Sequence, residues 1–195
     1  MNPLIYLPGN FVPVNSKYTR ILYEIFPSLA LPTTVTSRVC DIWRGYIMQR
    51  YGWIYGGSVV YVKSNIYYKG DPYNTTSMFE EEKALFLEID NLLESLNSTI
   101  SQEIQHPQIF LIKLIEILVK KNLLGKNDLE MYKAFIIDLE SIGYNCTKKY
   151  QINTKYNFRN YLNISTELQY YLPPNDNIII NKGYNCKFKI YKNFI

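Results

Sequence analysis

The sequence predicts an α/β (α+β) chain, with a mixed first half, a helical segment and a polar tail holding short strands. Three observations predict it. Apolar residues recur at helical spacing over 39–47, 79–96, 109–119 and 129–142. A β-branched and aromatic run, Ser58-Val59-Val60-Tyr61-Val62, stands among these helical stretches behind the breaker Gly56-Gly57. Beyond Tyr150 the chain turns polar and tyrosine-rich, with short apolar runs only.

Taken in order, residues 1–20 read as loop, because Pro3, Pro8, Gly9 and Pro13 forbid a regular helix. A short helix is expected over 19–26, stopped at Pro27, and an extended piece over 29–34 around Pro32. A longer helix follows over 37–51. Thr36 or Ser37 is a good N-cap, its hydroxyl accepting from an unpaired amide of the first turn. Val39, Ile42, Trp43, Tyr46 and Ile47 form the apolar stripe of this helix, while Arg38, Asp41, Arg44 and Gly45 fall on another side. The strand over 58–62 comes next, then a polar, irregular stretch over 65–77.

One helix is expected over 78–96. Phe79, Leu85, Phe86, Ile89, Leu92, Leu93 and Leu96 make its stripe, and Glu80-Glu81-Glu82 suits its positive end. Pro107 opens another helix, running to 122. Gly125-Lys126-Asn127-Asp128 reads as a turn with an N-cap, and Gly143 closes a helix over 129–142. The tail offers strands over 177–180 and 187–191. A soft boundary near 99–107 divides the chain into 1–100 and 101–195, packed as one unit.

With 195 residues and 47% hydrophobic content, the chain is long enough to bury a real core as one domain. A net charge of +4 permits an anionic partner without requiring one. Lys148, Lys149, Lys155 and Arg159 are scattered among polar residues and read as a solvated face, which argues against nucleic acid as a partner. Cys40, Cys146 and Cys186 are widely spaced and His106 is the sole histidine, so reduced thiols are expected and a zinc site is not. No basic stretch followed by an apolar one opens the chain. The most apolar segment, 109–119, holds Lys113 and Glu116 and is too short to span a bilayer. The expectation is a soluble, cytoplasmic protein without signal peptide or transmembrane segment. Abundant Asn, Ile, Lys and Tyr fit an AT-rich genome such as that of a giant virus or a protist. In such a chain the sequons at Asn74, Asn97, Asn145 and Asn163 read as chance matches.

Three words occur in a fixed order. They are Pro13-Val14-Asn15-Ser16-Lys17-Tyr18-Thr19, then Leu31-Pro32-Thr33-Thr34-Val35, then Arg38-Val39-Cys40-Asp41-Ile42-Trp43-Arg44-Gly45-Tyr46 with Gln49-Arg50. The series resembles the STELLO-type glycosyltransferases, a glycosyltransferase-like family known from plant Golgi proteins and nematode relatives. The resemblance covers 7–96, with a weaker echo at Asp138-Leu139 and Gly143-Tyr144. It implies a partial GT-A-like acceptor half over 1–100. Asp41 then resembles the acid that takes the proton from an acceptor hydroxyl, against the plainer reading of a structural partner for Arg38, Arg44 or a loop amide. Arg38 and Arg44 would hold donor diphosphate or acceptor oxygens by bidentate hydrogen bonds. Trp43 and Trp53 would stack on a sugar ring, although core packing is the plainer reading of Trp43.

Two departures limit the resemblance. The family's Arg-Asn-x-His element is met here by Lys69-Gly70-Asp71-Pro72, without the histidine, ahead of Phe79-Glu80-Glu81-Glu82. No Asp-x-Asp occurs, Asp176 being flanked by asparagines, and no G-x-G-x-x-G loop occurs. No metal ligand is therefore assigned, and a divalent metal is expected only with a donor half supplied by another chain. The expected function is a glycosyltransferase-like protein without the donor-binding half, degenerate or one part of a split enzyme. The alternative is a non-catalytic protein that binds glycan or protein; an active transferase with its own donor site ranks last. Expected partners are a glycan or sugar nucleotide and a second protein chain.

Overall fold

The structure, a computed structural model, describes residues 4–17, 19–62, 74–99, 106–144 and 179–180. Five helices dominate it: α1 (Ser37–Gly52), α2 (Thr75–Leu87), α3 (Ile89–Ser98), α4 (Pro107–Lys120) and α5 (Lys126–Ser141). Two 3-10 segments, Tyr23–Leu29 and Trp53–Tyr55, lie before and after α1. A small sheet of β1 (Leu4–Tyr6), β2 (Val59–Tyr61) and β3 (Ile179–Ile180) has the order β2-β1-β3. β1 runs antiparallel to β2 and parallel to β3, with Leu4 opposite both Tyr61 and Ile179. The chain is thus α+β, mostly helical with a small sheet. None of the described helices is long and apolar enough to cross a membrane.

α1 is the centre of the core. Val39, Trp43, Ile47 and Tyr51 repeat every four residues, so they share one face of the helix, and each is at most 1% exposed. They join Leu92 and Leu96 of α3, Phe110, Leu111, Leu114, Ile115 and Leu118 of α4, and Tyr132 and Ile136 of α5 in one cluster. The turns after α4 and α5 are closed alike. Asn122 (φ 57°) and Gly143 (φ 85°) take the left-handed conformation. Leu123 N–H then returns to Leu118 O, and Tyr144 N–H to Leu139 O, each at 2.9 Å. Gly143 closes its helix as the sequence predicts.

Several elements differ from expectation. Leu4-Ile5-Tyr6, between two prolines, is a strand rather than loop, since proline bars helix but not extended chain. The segment expected over 19–26 is a 3-10 run, Tyr23–Leu29, that carries Pro27 inside it; proline's locked φ suits that geometry. Thr36 stands at the N-cap of α1, but its hydroxyl donates to Glu81 O of α2 at 2.5 Å instead of serving the first turn. The helix expected over 78–96 is two, broken at Glu88 (φ −112°, ψ −1°). Its start lies earlier, where Asn74 Oδ1 accepts from Thr76 N–H at 2.9 Å. α5 begins at Lys126, with Asp128 inside its first turn. Of the tail strands, Ile179–Ile180 falls within the expected 177–180; that over 187–191 lies outside the described residues, as do Lys69 to Pro72, Cys146, Cys186 and the cations from Lys148 to Arg159.

Candidate functional site

The side of α1 opposite the Val39–Tyr51 stripe presents Asp41, Gly45 and Gln49, spaced by four, the last two of them buried. Residues 12–16 run along that side as an extended strap. Gln49 meets Val12 twice: its Oε1 accepts from Val12 N–H at 3.0 Å, and its Nε2 donates to Val12 O at 2.7 Å. Nε2 also donates to Gly45 O at 2.9 Å. At Gly45 the strap comes so close that an added Cβ would lie 2.3 Å from Val14 O. Asp41 Oδ2 then accepts from Ser16 N–H at 3.0 Å. The match has a simple metric. Two extended residues advance about 6.6 Å and four helical ones about 6 Å, so Val12, Val14 and Ser16 fall in step with Gln49, Gly45 and Asp41.

Arg44 completes the group by donating from Nη2 to Ser16 Oγ at 2.6 Å. Its Nε is buried without a hydrogen-bond partner among the described residues. An Asx turn shapes the strap's end, with Lys17 N–H on Asn15 Oδ1 at 3.0 Å and Thr19 Oγ1 donating to Asn15 O at 2.7 Å. The Tyr61 hydroxyl of β2 donates to Pro13 O and ties the strap to the sheet.

The structure brings Asp41 and Arg44 together around Ser16. Asp41 is half-buried and is the partner of a loop amide; among the described residues its Oδ1 takes no hydrogen bond and it forms no ion pair. Arg38 turns the other way, its Nε 2.7 Å from Glu81 Oε2 and its Nη1 3.5 Å from Glu82 Oε1 on α2. Trp43 is 1% exposed within the core. Trp53 is half-buried, its ring 4.5 Å from that of Phe11. Next to Asp41, burial and then the Asp41 charge push the Cys40 thiol up.

The family model for STELLO glycosyltransferases matches residues 38–169, which takes in α1 from its second residue and all of α2 through α5. The chain belongs to this family. "Probable glycosyltransferase STELLO2" of Arabidopsis thaliana is 30% identical over 146 residues, 73% of this chain and 18% of the relative. "Probable glycosyltransferase STELLO1" of the same plant is 31% identical over 144 residues, again 73% of this chain and 18% of the relative. The chain therefore spans 18% of the length of these curated STELLO relatives. No solved structure matches it.

The STELLO match opens at Arg38, in the first turn of α1, so it contains Asp41, Arg44, Gly45 and Gln49 but not the strap that they hold. Ser16 is the partner that sequence reasoning missed. Its signal was present in two words, 13–19 and 38–50, which look separate in sequence and are one joint in space. Asp128 was missed too: fully buried, it accepts from Thr33 N–H at 2.7 Å, from Thr33 Oγ1 at 2.9 Å and from Thr34 Oγ1. A metal-dependent transferase needs clustered acids, and among the described residues no three His, Cys, Asp or Glu side chains are grouped to hold an ion. No step through a metal follows from these residues.

Proposed function

We propose that these residues form the acceptor side of a glycosyltransferase-like site, and that the nucleotide-sugar grip and any metal are supplied by another chain. In this reading the protein is one part of a split enzyme or a degenerate descendant, without transfer of its own. Asp41 is the base. As the acceptor O–H bond breaks, its proton passes to Asp41 Oδ1. The oxygen forms its bond to the anomeric carbon, and the bond from that carbon to the nucleotide phosphate breaks, the diphosphate leaving with the electron pair. Arg44 orients the acceptor through its guanidinium donors. Arg38 and Trp43 stay with α2 and the core, and serve the site by holding α1 in place.

One observation carries the reading: a carboxylate with Oδ2 pinned by the Ser16 amide while Oδ1 takes no hydrogen bond among the described residues, in a chain of a glycosyltransferase family. Saturation-transfer NMR of the full chain with a panel of free mono- and oligosaccharides tests it. A saccharide contact is expected that Asp41→Asn weakens about tenfold, the loss of one charge-assisted hydrogen bond. Asparagine keeps an oxygen for Ser16, so melting should be unchanged. UDP-sugars with manganese should leave the melting temperature where it is. Equal saccharide contacts in Asp41→Asn, or clear stabilisation by a UDP-sugar with manganese, would overturn the proposal.

A further inference from the structure

Asp41 and Arg44 are three residues apart on α1, so they share one side of the helix, and both close on Ser16 of the strap. Each keeps an unused polar atom. Among the described residues Asp41 Oδ1 takes no hydrogen bond and Arg44 Nη1 donates none. Of these two side chains only Arg44 Nε is buried as well as unpartnered, so among the described residues Oδ1 and Nη1 are open to solvent. Ser16 is exposed, and its Oγ, accepting from Arg44 Nη2, has a second lone pair to offer. The carboxylate and the guanidinium form no ion pair with each other, which sets their charged atoms more than about 4 Å apart. Their contacts to Ser16, at 3.0 and 2.6 Å, keep them within about 9 Å.

We propose that the site takes a vicinal diol of a saccharide, the reacting hydroxyl on Asp41 and the hydroxyl of the next carbon held by Arg44 and Ser16. This assignment rests on the acceptor reading of Asp41 and narrows it to acceptors with two neighbouring free hydroxyls. An anion at Arg44 would meet the Asp41 charge, and a cation at Asp41 would meet Arg44, so the pair suits a neutral ligand. The reacting oxygen gives its proton to Asp41 Oδ1 and must keep a lone pair for the anomeric carbon. A guanidinium bond to that oxygen would weaken as its electrons move to carbon, favouring the ground state over the transition state. Arg44 therefore serves a second oxygen. Oxygens on adjacent carbons lie about 3 Å apart, and with hydrogen bonds of about 2.8 Å at each end they bridge a gap of the size that Ser16 sets. The second oxygen accepts from Arg44 Nη1 and donates to Ser16 Oγ, which a hydroxyl does and an ether oxygen does not.

Saturation-transfer NMR of the full chain tests this. The probes are the methyl pyranosides of glucose, galactose, mannose and xylose, each beside its monodeoxy forms. At least one parent glycoside should bind. Removing either of two adjacent hydroxyls should weaken it about tenfold, one charge-assisted hydrogen bond each, and removing any other less than about twofold. Ser16→Ala keeps the backbone amide on Asp41 and removes only the hydroxyl, so melting should hold. It should weaken the parent severalfold and leave unchanged the deoxy form that already lacks the second hydroxyl, a coupling that a merely structural change would not give. Equal losses for these two ligands would overturn the proposal. So would displacement by free glycine, whose ammonium and carboxylate would give Asp41 and Arg44 to a zwitterion. A contact that Asp41→Asn weakens but that depends on one hydroxyl, or on two that are not neighbours, would overturn the diol and leave the acceptor reading standing. No contact with any parent glycoside would overturn both.

Discussion

A side chain at position 45 has nowhere to go. The atom that an added Cβ would meet is the Val14 carbonyl oxygen, 2.3 Å away, and backbone cannot turn aside as a flexible side chain does. Glycine is normally a weak helix former, and alanine at an open helix site would add about 1 kcal/mol. Here the close approach outweighs that gain. Gly45→Ala lifts the strap, lengthening the Val12–Gln49 and Ser16–Asp41 hydrogen bonds together. The net expectation is a loss of about 2 kcal/mol, overpacking and weakened hydrogen bonds less the propensity gain. Urea unfolding measures it, and a midpoint at or above that of wild type would mean that the strap is not seated on α1. The same residue shows how a word in the sequence can carry structure: Gly45 sits between Asp41 and Gln49 because three contacts to an extended chain need an acceptor, a gap and an amide at that spacing.

At the scale of elements, the fit of α5 against the chain before α1 turns on Asp128. Its carboxylate is fully buried and takes three donors from Thr33 and Thr34, while Gly125 N–H donates to Thr34 Oγ1 at 2.7 Å. The Tyr132 hydroxyl adds a bond to Ala30 O at 2.8 Å. Asp128→Ala would remove the shared acceptor and leave a gap at a fully buried position, although Thr33 and Thr34 are themselves exposed and water can meet their donors, so the expected cost is about 2 kcal/mol. Asp128→Asn keeps one oxygen and should cost clearly less. Thermal unfolding of the two variants checks the order, and equal losses would count against this account. The sequence assigned Asp128 to a turn with an N-cap, because local capping was the only partner visible; the threonines that it serves lie 94 and 95 residues away. Gly143 was legible because a left-handed closing residue is a local need. The break at Glu88 was not, since the apolar stripe runs on through it and only burial separates α2 from α3. At the site, a loop amide was among the partners weighed for Asp41, but neither Ser16 nor the turn of Arg38 toward Glu81 could be read without the packing of the strap and α2.

Across the whole molecule, polar groups are built into the core alongside the aliphatic cluster. Arg50, 7% exposed, donates to Leu96 O at 2.9 Å and to Thr99 O, capping the end of α3, and lies over the Phe110 ring at 4.8 Å. Burial lowers its proton affinity. Tyr132 is fully buried, and burial, then the nearby Asp128 charge, push its hydroxyl well above the ordinary tyrosine value. Burial raises Tyr46 and Tyr61 as well. The sign follows from linkage. A tyrosine raised in the folded state keeps its proton there while the unfolded chain gives it up near about pH 10, so stability is complete below that value and falls above it. For Tyr132 the slope is about 1.4 kcal/mol per pH unit. Arg50 acts in the opposite sense, but only nearer its own, higher range. Urea midpoints from about pH 8 to about pH 11 should therefore fall steeply at the alkaline end. Tyr132→Phe should begin about 1 kcal/mol less stable, for the lost bond to Ala30 O, and then decline more slowly than wild type. The two curves should converge within about one pH unit above about pH 10. Parallel curves would mean that Tyr132 ionises as readily folded as unfolded, and its burial would then play no part in the alkaline response.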